Sequence, residues 1–362
     1  MDQCCSAADR FDITSAFLTK SSVQWAGGWL QEARTARFAA DHIIQRSAKL
    51  SECRFDGQVA IVTGAGNGLG RAYARLLAAR GARVLVNDLG GDMHGAGASR
   101  GPAARTAQEI VAAGGIAEAN FDSVATGPGG KSIVEQAMDT WGQVDVVINN
   151  AGAVVARGPI DENTDDDFRT DLMVAAGGTF FVTKAVWRHM WDRNYGRIVN
   201  VSSSAFLGMN SSAGYPAAKG ATWGLTRNLS YRATSQDKDI KVNCVMPTAA
   251  ARMTKLMGDG ISEGMERYYP PESAAAPVGY LAHRDVPVSG EMFATGGDIM
   301  RRVFVAVTPG YDAGEGRLTP ELVGENFGTV FGEANYTLVT NAYDKVALDR
   351  RVDWEAGRGS VF

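Results

Sequence analysis

Tyr215 and Lys219 stand four residues apart in the run Ser211-Ser-Ala-Gly-Tyr-Pro-Ala-Ala-Lys219. On a helix that spacing puts both side chains on one face, close enough to touch. A free tyrosine titrates near ~10 and is a poor base at neutral pH. An ammonium beside the phenolate stabilises it and makes the phenol usable for acid–base work. The pair also arises by chance on helices that do no chemistry. Its meaning therefore depends on the elements that would have to surround it.

The first of those elements is a glycine loop. Val59-Ala-Ile-Val62 is an apolar run of strand type. It leads into Thr63-Gly-Ala-Gly-Asn-Gly-Leu-Gly70 and then a helical pattern ending at Arg80. Strand, glycine loop and helix in that order are the setting of a dinucleotide fingerprint. Gly64 permits the tight turn, Gly68 lets the backbone approach a pyrophosphate, and Gly70 lets the helix pack closely on the strand. The N–H groups around Asn67, Gly68 and Leu69 would then face the phosphates.

A second strand, Arg83-Val-Leu-Val-Asn-Asp88, ends in an acid 18 positions after Gly70 (88 − 70). An acid at about that distance is expected to bind the adenosine ribose 2′-hydroxyl and to repel a 2′-phosphate. Neither Asn67 nor Leu89 supplies an offsetting cation, so NAD is expected over NADP. The bland alternative is that Asp88 only caps the loop Leu89-Gly90-Gly91.

Strands and helices alternate beyond this point. Strands are predicted at 59–62, 83–87, 116–120, 144–149, 197–202 and 241–246. Helices are predicted at 68–80, near 104–113, at 131–142, and near 165–194 and 212–233. Repeated βα units predict an α/β fold, a Rossmann-type doubly wound parallel sheet with helices on both faces. Ligands of such a sheet sit at the carboxyl ends of its strands. Gly64, Asp88, Asp122, Asn149, Ser203 and Pro247 all fall at such ends.

Residues 1–53 precede the first strand and read as an N-terminal extension dispensable for chemistry. Residues 54–305 read as the catalytic domain. Within them 248–305 is the least regular stretch, a soft loop around Met253, Met257, Met265, Tyr268 and Tyr269. Met253, Met257 and Tyr268 are the candidate contacts for a bulky hydrophobic substrate, with a dimer contact or plain core as the alternatives. Residues 306–362 read as a C-terminal extension with a helix after the cap Thr319-Pro320.

Composition narrows the class. A hydrophobic share of 45 % and a charged share of 21 % suit a globular chain, and a net charge of −4 argues against nucleic acid as the partner. No apolar run approaches the ~20 residues of a membrane-spanning helix. Cys4, Cys5, Cys53 and Cys244 have neither disulfide nor metal spacing, and the four histidines do not cluster. No metal and a cytoplasmic location are expected. No signal peptide and no S-K-L peroxisomal address are visible.

Taken together, the glycine loop, Asn149-Asn-Ala-Gly152, the Ser-rich strand end and Tyr215-x-x-x-Lys219 resemble the short-chain dehydrogenase/reductase family over about residues 54–255. Arg54-Phe-Asp-Gly-Gln-Val59, Asn87-Asp-Leu-Gly-Gly-Asp92, Asp122-Ser-Val124, Arg252-Met-Thr254 and Leu318-Thr-Pro-Glu321 resemble more closely one group within it. That group is the (3R)-hydroxyacyl-CoA/17β-hydroxysteroid dehydrogenase domain of peroxisomal multifunctional enzymes.

The resemblance implies a set of roles. Tyr215 is the acid/base, and Lys219 lowers its pKa and holds the nicotinamide ribose. Asp122 and Ser123 stand at the adenine, and Asn149, Ala151 and Gly152 beside the adenosine. Pro247-Thr248 stands beside the nicotinamide, in place of the usual Pro-Gly. The catalytic serine is Ser203 when counted from the strand and Ser202 when counted back from Tyr215; Ser203 is favoured. Ala175 occupies a place where the family often has an Asn that supports a water relay to the Lys. Arg252, Lys255, Arg301 and Arg302 read as solvated charge, with CoA phosphates as the alternative partner.

The expected activity is NAD-dependent interconversion of a secondary alcohol and a ketone, on a hydroxysteroid or a 3-hydroxyacyl-CoA. A non-catalytic NAD-binding sensor or assembly subunit is the alternative. A homodimer or homotetramer is expected through the helices near 165–194 and 212–233, which carry apolar residues on several faces.

Overall fold

The five residues of β1 (Val59–Thr63) are buried on both faces, which is why they read as an unbroken apolar run rather than an alternating one. The computed structural model describes residues 52–91, 97–155, 158–209, 212–250, 259–314 and 316–342. The chain divides into two compact units, Met1–Glu52 and Cys53–Phe362. Only Glu52 of the first is among the described residues, so the fold below is that of the second.

β1 is followed by α1 (Gly68–Ala79), β2 (Arg83–Asn87), α2 (Gly101–Ala112), β3 (Ile116–Asn120), α3 (Gly127–Trp141) and β4 (Val146–Asn149). Next come α4 (Asp165–Leu172), a π-helical turn over Met173–Gly177, α5 (Gly178–Arg193), β5 (Gly196–Val201), α6 (Gly214–Thr234) and β6 (Ile240–Pro247). The sheet order is β3-β2-β1-β4-β5-β6 and continues through β7 (Met292–Gly296) to β8 (Ile299–Val303). Every pairing is parallel except β7 with β8.

Alternate strand residues serve two cores. Ala60 and Val62 pack with Tyr73 and Leu77 of α1 and Ile110 of α2 on one face. Val59 and Ile61 pack with Ile133 of α3 and Val182 and Val186 of α5 on the other. Both faces are therefore covered, as the doubly wound reading requires.

Local signals set the helix ends. Thr126 caps α3 by accepting from Gly129 N, and Gly142 closes it at φ 76°. Thr164 and Asp167 form a reciprocal capping box on α4. The predicted long helix near 165–194 is real but interrupted by the π turn, with Ala175 buried in its middle. Thr319 Oγ1 accepts from Leu322 N at the start of a short helix, Pro320–Glu325.

Residues 248–305 are more regular than expected. They hold α7 (Asp259–Tyr268), a 3-10 turn at Pro271–Ala274, α8 (Ala275–Leu281), and the last two strands of the sheet. β7 turns into β8 through Gly297 and Asp298, both at φ 57°, a two-residue hairpin whose twist suits the strands. The following stretch adds a two-stranded pair, Ala306–Val307 with Thr337–Leu338.

At the amino end of the sheet, Arg197 is 2 % exposed. It donates to the carbonyls of His283, Gly196, Asp239 and Arg284 and to the Asp239 carboxylate. Its guanidinium also lies 4.5 Å over the Tyr195 ring.

Candidate functional site

The loop after β1 takes the shape its glycines allow. Gly64 and Gly68 sit at φ +63° and +53°, conformations that disfavour any side chain. A Cβ at Gly70 would lie 2.2 Å from Gly64 O and 2.5 Å from Asn150 Nδ2. A Cβ at Gly68 would meet nothing within 4 Å, so the ledge above it is open. Asn67 is the N-cap of α1 and makes no side-chain cap bond. The helix start thus presents backbone N–H groups over an open ledge, a donor set that fits a dinucleotide pyrophosphate.

Asp88 braces this loop. Its Oδ2 accepts from Gly66 N at 2.8 Å and its Oδ1 from Gly90 N at 2.7 Å. The carboxylate does cap its own loop, and it also ties that loop to the one after β1. A carboxylate has about four acceptor sites, so two bonds leave capacity for a ribose hydroxyl. Arg100, at the start of α2, lies 5.1 Å over the Phe121 ring, next to Asp122. Asp122 Oδ2 accepts from Asn120 Nδ2 and from Ser132 Oγ, both at 2.8 Å, which fixes the end of β3.

A cavity of ≈ 160 Å³ runs along these strand ends. Gly64, Asn67, Asp88, Leu89, Asp122, Ser123, Ala151 and Gly152 line it, all selected from sequence. Asn87, Gly91 and Val124, which lie within the quoted motifs but were not singled out, line it too, as do Ala153 and Val174, which carried no sequence signal. Asn149 does not line it. Its side chain is buried and bonds Thr183 Oγ1 and Asn200 Oδ1, while Asn150 lines the cavity and donates to Thr63 O and Gly64 O. A larger cavity of ≈ 320 Å³ lies between α1, α2 and α8, away from the strand ends. Its walls are mostly alkyl, and it offers no group with the chemistry of Tyr215 and Lys219.

The Tyr–Lys pair is assembled as its spacing predicts. Both residues lie in α6, and the Lys219 ammonium is 5.5 Å from the Tyr215 ring centroid. Lys219 is only 3 % exposed and donates to Val201 O at 2.7 Å, which pins it to the end of β5. Gly152 makes room, because a Cβ there would stand 3.3 Å from Lys219 Nζ. The two candidate serines separate clearly. Ser202 is buried and its hydroxyl donates to Lys219 O at 2.8 Å. Ser203 is half-buried, caps the 3-10 turn Ser204–Leu207, and accepts from Ala205 N at 3.2 Å, so its proton is not spent on that bond.

Other reactive groups stand elsewhere or are silenced. Burial pushes the Cys244 thiol up to about 12, which keeps it a neutral, inert thiol at physiological pH. Burial also holds His189 and His283 below the usual range. They lie beside Asp145 and Arg197, at the amino end of the sheet. Pro247 and Thr248 end β6, where Thr248 N donates to Thr295 O. Met253 and Met257, with Arg252 and Lys255, lie outside the described residues. Tyr268 is 60 % exposed on α7, and Arg302 is paired with Glu291. Among the described residues no group of three His, Cys, Asp or Glu is placed to hold a metal, and no helix is long and apolar enough to cross a membrane.

Comparison with known proteins places this geometry. The family described as short chain dehydrogenase matches residues 58–259. Peroxisomal multifunctional enzyme A of Dictyostelium discoideum is 38 % identical over 295 residues, covering 81 % of this chain and 64 % of that protein. Peroxisomal multifunctional enzyme type 2 of Mus musculus is 41 % identical over 247 residues, covering 68 % of this chain and 32 % of that protein. The match thus spans less than two thirds of each of these relatives. A 7α-hydroxysteroid dehydrogenase solved with NADH and 7-oxo glycochenodeoxycholic acid superposes with a TM-score of 0.59 at 26 % identity. It covers 68 % of this chain and 95 % of that one.

Proposed function

Because the chain belongs to the short-chain dehydrogenase family and acts on a CH–OH group, we propose that it interconverts a bulky secondary alcohol and its ketone with NAD. The observation that carries this reading is the buried Lys219 ammonium, anchored on Val201 O and set against the Tyr215 ring beside the glycine-lined cavity. The bound nicotinamide would supply the hydride chemistry. The chain's own residues handle the proton and the geometry.

In the oxidation direction the Tyr215 oxygen takes the proton from the substrate hydroxyl. The Lys219 ammonium stands 5.5 Å from the ring that does so and would hold the nicotinamide ribose. The Ser203 hydroxyl donates to the substrate oxygen as charge develops there. Gly64, Asn67, Gly68, Leu69 and Gly70 would hold the pyrophosphate and Asp88 the adenosine ribose. Ala175 offers no side-chain amide, so proton exchange beyond Lys219 would run through backbone and solvent. The domain limits near 53/54 and 305/306 belong to the same reading.

The substrate class is a hydroxysteroid or a 3-hydroxyacyl-CoA. Its support is the bile acid in the solved dehydrogenase and the multifunctional-enzyme relatives. A panel of both kinds of alcohol, followed by NADH absorbance, tests it; turnover of neither overturns it. The relatives' names also set a peroxisomal location against the cytoplasmic one expected from cysteine usage. Imaging the full chain in its native cell decides between them.

Two further results are expected. kcat/KM with NAD exceeds that with NADP at least about tenfold, because a 2′-phosphate would meet the Asp88 carboxylate. Asp88→Ala should narrow the ratio. Equal kcat/KM values for the wild type would sink the reading. Light scattering at micromolar concentration should show a dimer or tetramer, since Phe168, Phe180 and Tyr231 leave apolar surface exposed on α4, α5 and α6. A monomer would contradict it.

A further inference from the structure

Asp171 is fully buried near the end of α4, immediately before the π turn. Its Oδ1 accepts from Val155 N at 2.8 Å, and its Oδ2 accepts from the Ser212 hydroxyl at 3.2 Å. Ser212, also buried, passes the link on, because its Oγ accepts from Tyr215 N at 3.3 Å. Val155 lies three positions beyond Gly152, the residue that makes room for the Lys219 ammonium. One carboxylate therefore joins the loop after β4 to the first turn of the helix that carries Tyr215 and Lys219.

The neighbouring residues are fitted to that carboxylate. A Cβ on Gly214 would stand 2.8 Å from Asp171 Oδ2 and 3.2 Å from the Phe168 backbone. Only glycine lets α6 start this close to α4. The carboxyl group also lies at the positive end of a 21-residue helix. Burying a carboxyl group is costly unless donors meet it, and Val155 N and the Ser212 hydroxyl are two that do. An apolar side chain would fill the same space without that cost but could not hold Val155 and Ser212 in one place.

We infer that Asp171 is a positioning residue: through Ser212 it fixes where Tyr215 stands against the cofactor loop. The inference rests on the reading of Tyr215 as the acid/base. A displacement of about 1 Å at a reacting group costs on the order of 10²-fold in rate. Helix α6 is held to β5 independently of this clamp, through the Lys219–Val201, Ser202–Lys219 and Asn200–Thr226 bonds.

The test uses the full-length enzyme with NAD and its best alcohol substrate. Asp171→Ala and Ser212→Ala should lower kcat roughly 10- to 100-fold, with KM for NAD changed less than about threefold. Asp171→Asn keeps an acceptor for Val155 N and a polar partner for Ser212, so it should recover most of the loss. In a Tyr215→Phe background, Asp171→Ala should lower the residual rate no further, because the group it positions is already gone. If Asp171→Ala does not fold, Ser212→Ala, which removes a single hydroxyl from the same path, decides alone. Wild-type kcat in folded Ser212→Ala overturns the inference. So does an equal loss with and without Tyr215, or a loss that Asp171→Asn does not relieve. A fully active Tyr215→Phe would instead remove the acid/base reading, and the positioning role with it.

Discussion

Tyr215→Phe should lower kcat on the best alcohol by ~10²–10⁴-fold, the range that general acid–base catalysis contributes. The substitution keeps the half-buried ring and its place 5.5 Å from the Lys219 ammonium and removes only the oxygen. NAD affinity should survive, because the glycine loop and Asp88 bond each other without Tyr215. Lys219→Ala should behave differently. It removes the cation beside the phenol and also empties a site packed against Gly152 at the cavity wall, so turnover and cofactor binding should both fall. Ser203→Ala should cost more turnover than Ser202→Ala, since the Ser202 proton is already given to Lys219 O. Kinetics of the four variants, with NAD binding followed by fluorescence, check the set. A Tyr215→Phe enzyme retaining more than about a tenth of wild-type turnover would refute the mechanism.

The second large effect is on stability. Arg197→Ala should destabilise the fold by roughly 3–5 kcal/mol, read as a lower urea midpoint, with kcat per folded molecule unchanged. The ion pair with Asp239 is not the main reason, because that carboxylate is 47 % exposed and water replaces the guanidinium there. The main reason is the set of four carbonyls that lose a buried donor, together with the hole left against Tyr195. Arg197→Met fills part of the hole and should cost less than Arg197→Ala. An unchanged midpoint for Arg197→Ala would show that other donors or water satisfy those carbonyls.

What the sequence made legible was local. Val59–Gly70, Asp88 and the Tyr–Lys spacing each announce themselves within a dozen residues, because turn chemistry and periodicity are short-range properties. Their convergence at one sheet end follows from the βα alternation alone. What stayed hidden depends on distant partners. α8 is seven residues long and contains Pro277 and Gly279, the latter so close to α1 that a Cβ would meet Leu76 at 2.5 Å, so its short apolar run does not read as a helix. β8 is exposed along most of its length and therefore shows no alternation. The exchange between Asn149 and Asn150 turns on which of two identical side chains points inward at the end of β4. Asp171 was invisible for the same kind of reason. It follows Asp165, Asp166 and Asp167 in one short helix and looks like another solvated acid, yet it alone of the four is buried.

The turn at Gly297-Asp298 also sets an order in time. β7 is the last parallel strand, and its outer edge would present a bare row of N–H and C=O groups to any neighbouring chain. A hairpin closes on the order of microseconds, whereas synthesis adds one residue in roughly 50–200 ms. Once β7 has docked on β6, β8 can cover that edge well before the next residue joins the chain. The edge that remains carries Arg301 at its centre beside Arg302, which is paired with Glu291, and the Arg301 charge opposes the addition of a strand from a second nascent copy.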